Sequence, residues 1–232
     1  MNMPGDEERL LQREKRKKIL LIAVCAVTGV FLIFGALALI LPAIENYLKE
    51  QRRTDLENRT KRSYIYPEPD YSLDIFEDTV YLSLDRYVWV WDSDKIARTV
   101  ITEVNRDNYP VEIQFMYDVV NFIINGDWAA YNKIFTDDYI KNAGDNWREN
   151  FTMQQLFDIE LEYVDAGELD GGALYYDIQL SYQIRNNNGT FRNDLDFNDG
   201  GSIPVVYKLA YDGKNMKVRD VLTHLQYASG FY

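Results

Sequence analysis

The chain has 232 residues, with 25 Lys and Arg against 37 Asp and Glu, one His, one Cys and a formal net charge of −12. The imbalance lies after residue 62, where 13 basic residues face 29 acidic ones; a field of that sign repels phosphate backbones, which excludes nucleic acid as an expected partner. A single His and a single Cys leave no ligand set for zinc and no pair for a disulfide.

Residues 1–18 form a short basic tail, with Arg13, Lys15, Arg16, Lys17 and Lys18 crowded at its end. Residues 19–41 then run for 23 positions without a charge. At 1.5 Å per residue this is about 35 Å of helix, enough for a hydrocarbon core of about 30 Å. It also outruns the apolar stretch of about 7–15 residues in a cleavable secretory signal. The pattern predicts an N-terminal transmembrane helix, with the lipid bilayer as its partner. Lys and Arg resist translocation, so the tail is expected in the cytoplasm and the large C-terminal part outside it, as a single-pass protein of the cell membrane. Cys25 follows Val24 rather than the small residue a lipoprotein signal needs, so no lipidation is expected.

Residues 42–66 read as a polar stalk and linker: Glu45 with Lys49, and Arg53 with Glu57, stand at i,i+4 spacing. Pro67-Glu68-Pro69 then forbids helix, and an extracytoplasmic domain is expected over 67–232. Strands are expected at 81–91 and 96–104, around an Asp92-Ser93-Asp94 turn. Ile113, Met116, Val119, Val120, Ile123 and Ile124 recur at helical spacing, with Gly126 where a left-handed cap belongs. Asp127 opens a second helix whose buried face would be Trp128, Tyr131, Ile134 and Phe135, and Thr152 with Gln155 would cap a third. The hydrophobic period then changes to two, which predicts strands at 159–165, 174–185, 203–212 and 216–222. Helices followed by a run of antiparallel strands make an α+β domain.

Asn125-Gly126-Asp127-Trp128, followed by Tyr131, Phe135 and Thr136-Asp137-Asp138-Tyr139, resembles the helix-turn-helix opening of nuclear-transport-factor-2-like domains. The similarity covers about 111–222, and Tyr211-Asp212-Gly213-Lys214 through Val218 fits that fold's closing hairpin. The resemblance implies a cone-shaped domain, with a curved antiparallel sheet wrapped on helices. The layout of basic tail, single span and outer domain is similar to the scaffold subunit of type IV secretion and conjugation machines, whose Asn-Pro-x-Gly motif this sequence lacks.

Catalytic members of that superfamily place an acid, His or Tyr inside the cone. Period-two alternation here turns tyrosines inward, and Tyr163, Tyr176, Tyr182 and Tyr207 are the candidates for a small-ligand pocket. Asp177, Glu160, Glu162 and Lys208 fall on the other parity and read as a solvated outer face. Asp220 is the one inward acid; with His224 it could form a dyad, but a surface histidine is the plainer reading, so no catalytic residue is assigned. Asp194 through Gly200 begins like a calcium loop, yet its Gly is one place late and Val205 stands where the bidentate Glu belongs. No metal or cofactor is therefore expected. Tyr87, Trp89 and Trp91 share one face of a strand and are the candidates for a partner-docking surface, unless the rings pack into the core. The expected function is a non-catalytic, membrane-anchored protein-interaction module of an envelope assembly. The alternatives are a sensor for a small apolar ligand or cell-wall component, and the secretion scaffold subunit.

Overall fold

The structure is a computed structural model that describes Ile44 and residues 64–143, 147–195, 204–223 and 226–227. The chain divides into two units, Met1–Thr54 and Asp55–Tyr232, and every described residue except Ile44 belongs to the second. In chain order the helices are α1 (Thr79–Leu82), α2 (Val111–Ile124), α3 (Trp128–Lys133) and α4 (Asp137–Asn142). The strands are β1 (Val88–Trp91), β2 (Arg98–Ile101), β3 (Gln155–Glu168), β4 (Leu174–Arg185), β5 (Val205–Tyr211) and β6 (Met216–Thr223). They form one sheet in the order β2-β1-β3-β4-β5-β6.

The expected fold, an antiparallel sheet behind an N-terminal transmembrane helix, is corrected to a mixed sheet with short helices among the described residues. The sheet is mixed, because β1 pairs parallel with β3, Val88 facing Ile159 and Val90 facing Leu161. Among the described residues no helix is long and apolar enough to cross a membrane; the run 19–41, with Cys25, and most of the stalk at 42–66 lie outside the described residues.

Helix α2 forms because its apolar positions recur on one stripe, and Ile113, Met116, Val119, Val120 and Ile123 are all fully buried. It ends in a Schellman motif: the Gly126 N–H donates to Ile123 O at 3.2 Å and the Asp127 N–H to Phe122 O at 2.8 Å. That geometry requires Gly126 at φ +65°. Asp127 then caps α3 by accepting from Ala130 N at 2.9 Å. Tyr131, Ile134 and Phe135 are buried as expected, whereas Trp128, at the first helical position, is 44% exposed.

Two local expectations fail. The strand expected at 81–91 covers only Val88–Trp91, and its first residues, Tyr81 and Leu82, belong to helix α1, because the Asp78 carboxylate caps that helix by accepting from the N–H groups of Val80 and Tyr81. No helix starts at Thr152. Gln154 N donates to Ile124 O at 3.2 Å, Gln155 donates to Asp78 and accepts from Arg185, and β3 begins at that same Gln155. The third helix is α4 instead, capped by Thr136.

The core lies between α2, α3 and one face of the sheet, where Val88, Ile159, Leu161, Ile178, Leu180, Tyr182, Tyr207, Leu209 and Val218 are buried. Register shifts at Phe157/Glu160, Tyr163/Asp165 and Lys208/Leu209 break the ladder, and bulges of this kind sharpen the local twist of a strand. The other face is only partly solvated. Asp177 and Lys208, expected outside, are buried there beside Val206, with Arg219 at 3.6 Å from Asp177 and the Tyr227 ring at 5.9 Å from the Lys208 ammonium. Burial pushes the Asp177 carboxyl above its ordinary value, even with Lys208, a hydrogen bond from Tyr227 and Arg219 lowering it.

Candidate functional site

The inward tyrosines divide into two sets. Tyr207 is fully buried and its hydroxyl lies 3.0 Å from that of Tyr131, on α3. Around Tyr131, the rings of Phe135, Phe151 and Phe191 sit edge-on at 5.1, 5.4 and 5.7 Å, an arrangement that suits aromatic quadrupoles. Tyr182, also buried, accepts from Arg192 at 2.9 Å, and Arg192 is held in turn by Asp194 at 2.6 and 2.7 Å. Burial drives the Tyr131, Tyr182 and Tyr207 phenols upward, so they stay protonated at neutral pH. Tyr163 and Tyr176 are half-buried. Tyr163 donates to Glu112, in the first turn of α2, at 2.6 Å, and burial together with that acid raises its pKa.

Sequence reasoning missed the three charged partners of this interior: Glu112, Arg192 and Asp194. Glu112 sits beside the apolar stripe and reads as an ordinary first-turn acid. Asp194 carries the calcium-like spacing, but its carboxylate is committed to Arg192. Residues 196–203 of that motif lie outside the described residues, and so does His224, read as a surface histidine four residues beyond Asp220. Among the described residues, no group of three or more His, Cys, Asp and Glu could hold a metal ion.

The tryptophans face the other way. Val88 and Val90 are buried, while Trp89 and Trp91 are partly exposed and Tyr87 is 60% exposed. From β2, the Arg98 guanidinium lies 4.4 Å over the Trp89 ring and 5.7 Å from that of Trp91, a cation–π arrangement. Both indole N–H groups are satisfied, Trp89 by Asp85 at 2.9 Å and Trp91 by Glu160 at 3.1 Å. Glu160 also pairs with Arg98, and Glu162 with Lys95. The result is an outward strip of fixed aromatic rings and compensated charges, built on three strands. The hairpin that carries it is held by Asp92, which accepts from the N–H groups of Ile96 and Ala97.

A cleft of about 280 Å³ opens between α4 and β6, lined by Asp138, Tyr139, Asn142, Arg219, Asp220 and Leu222 among others. Burial raises the Tyr139 phenol to about 12, with Asp220 adding to the shift. Compared with family models, with curated proteins and with solved structures, the chain finds no match.

Proposed function

We propose that this protein is a non-catalytic protein-interaction module working outside the cytoplasm at the cell membrane, and that it docks a partner protein through Tyr87, Trp89 and Trp91. The observation that carries this reading is the orientation of the tryptophan strip: two indoles turned away from a filled interior, held flat by Arg98 and by hydrogen bonds to Asp85 and Glu160. Preorganised aromatic and arginine side chains supply much of the binding energy in protein interfaces, because little rotamer freedom is left to lose on docking. The small-ligand alternative has less support, since Tyr182 and Tyr207 are buried with their hydroxyls already bonded. A relationship to nuclear-transport-factor-2-like domains belongs to the same proposal. It is supported by the α2–Gly126–α3 turn and by the antiparallel run of β3 to β6. The location is supported by the order of basic tail and uncharged run in residues 1–41.

The test is photo-crosslinking in cells from position 87 of the full-length protein, with and without Trp89→Ala and Trp91→Ala together. The expected result is a discrete crosslinked partner that disappears in the double variant, while circular dichroism shows the fold retained. An unchanged crosslink pattern would refute docking through this face. Loss of biological function in a folded His224→Gln variant would refute the non-catalytic reading, because general acid–base groups typically contribute about 10² to 10⁴ in rate.

A further inference from the structure

An open sheet has two edges, and this one treats them differently. At β2 the edge is closed by side chains of the same chain: Val100 O accepts from Asn105 at 2.9 Å and from the Tyr109 hydroxyl at 3.0 Å. At β6 the edge already holds a guest of its own. Val218 N donates to Ile134 O at 2.8 Å and Val218 O accepts from Thr136 N at 2.9 Å, a parallel bridge with the segment that joins α3 to α4. The chain then turns away into α4, and the edge runs on beside the cleft. There the Val221 N–H donates to the Asp220 carboxylate at 2.9 Å and the Thr223 N–H to the Gln226 side chain at 2.8 Å. These two donors, two residues apart, have the spacing at which an added strand takes its hydrogen bonds.

We propose that the cleft between α4 and β6 receives a short extended segment of a basic partner protein, which adds to β6 as a strand from Val221 onward. Three observations converge on that occupant. The volume falls just below the range of about 300–1,000 Å³ typical of small-molecule pockets, too little for a large cofactor. The edge donors end on side chains that can rotate aside, as happens when an extended peptide extends a sheet and its backbone supplies the affinity. Asp138 and Asp220 line the cleft. Two cations stand nearby and both are shared or solvated: Lys141 lies 3.9 Å from Asp138 with its side chain largely exposed, and Arg219, which also lines the cleft, leans on Asp177 at 3.6 Å. A basic segment is complementary to this wall and to the acidic domain around it, whereas a second copy of the chain would be repelled.

The probe is the peptide acetyl-Lys-Val-Lys-Val-Lys-Val-amide, titrated into full-length protein with ¹⁵N-labelled Val and Thr. The proposal expects saturable binding that shifts the Val221 and Thr223 amide signals. The same peptide with alternate amides N-methylated cannot pair with a strand and should not bind. Binding should be at least about fivefold weaker for the Glu-for-Lys peptide, and for the original peptide against the solvent-exposed variant Asp138→Lys. Trp89→Ala with Trp91→Ala should leave this binding unchanged, which separates it from the docking face. Absence of saturable binding, equal binding of the N-methylated peptide, or indifference to both charge changes would each overturn the proposal.

Discussion

Gly126→Ala tests how α2 ends and why β3 starts where it does. At φ +65° an alanine enters the left-handed region, which costs roughly 1–2 kcal/mol. In addition, a Cβ there would stand 2.7 Å from Met153 N and 3.0 Å from Thr152 C. Both are backbone atoms, in the segment tied to α2 by Gln154 N donating to Ile124 O at 3.2 Å. Moving that segment sacrifices the bond, about another 1 kcal/mol, for a total of about 2–3 kcal/mol. Gly213 supplies the control: it has φ +88° and nothing within 4 Å of the place a methyl group would take, so Gly213→Ala meets only the backbone cost. The entropy that alanine removes from the unfolded chain is common to both variants and cancels. Urea unfolding of the two full-length variants beside wild type should show Gly126→Ala losing at least about 1 kcal/mol more than Gly213→Ala. In thermal melts this is a further fall of about 2–4 °C for a domain of this size. Equal losses would show that the collision with 152–153 is relieved without cost, and the reasoning about the start of β3 would then fail.

Other consequences are open to measurement. Tyr131→Phe strands the buried Tyr207 hydroxyl, and should cost about 1–3 kcal/mol in chemical denaturation; adding Tyr207→Phe should cost less than the sum of the single changes. Trp89→Ala loses a partly exposed ring, its contact with Arg98 and its hydrogen bond to Asp85, about 1.5–2 kcal/mol from these two contacts, whereas Leu161→Ala on β3 empties a fully buried site at about 2–5 kcal/mol; a Trp89 loss well above about 2 kcal/mol would place the ring in the core. Burial pushes the Asp194 carboxyl up, but the hydrogen bonds and charge of Arg192 outweigh it and hold the group below its usual range. Its contribution is therefore complete above the unfolded value of about 3.9 and is lost as pH falls through the lowered native value. Asp194→Asn should cost about 2–4 kcal/mol at pH 7, by leaving Arg192 buried beside a neutral amide, and should flatten the fall in stability below pH 4 in acid titrations followed by circular dichroism.

What the sequence determined by itself was local. The period-two run predicts 174–185, and β4 spans Leu174–Arg185, because alternation along a half-buried strand is written in consecutive residues. Gly126, Asp127 and Gly213 could be placed for the same reason: cap and turn chemistry involve residues a few positions apart. The parity of Val88 and Val90 against Trp89 and Trp91 was legible too, but not which face would be buried. That was decided when β1 paired parallel with β3, about 70 residues away, and turned its valines onto α2's side of the sheet. Thr152 and Gln155 make a sound capping box on paper; partners at Ile124, Asp78 and Arg185 drew the segment into β3 instead. Asp177 and Lys208 read as solvated because their parity is right for an outer face, and only the approach of Arg219 and Tyr227 buried them. Arg98 over Trp89 and the cleft beside β6 likewise join residues distant in the chain. Periodicity specifies which side chains share a face, whereas the contacts that cover that face depend on pairings across the whole domain.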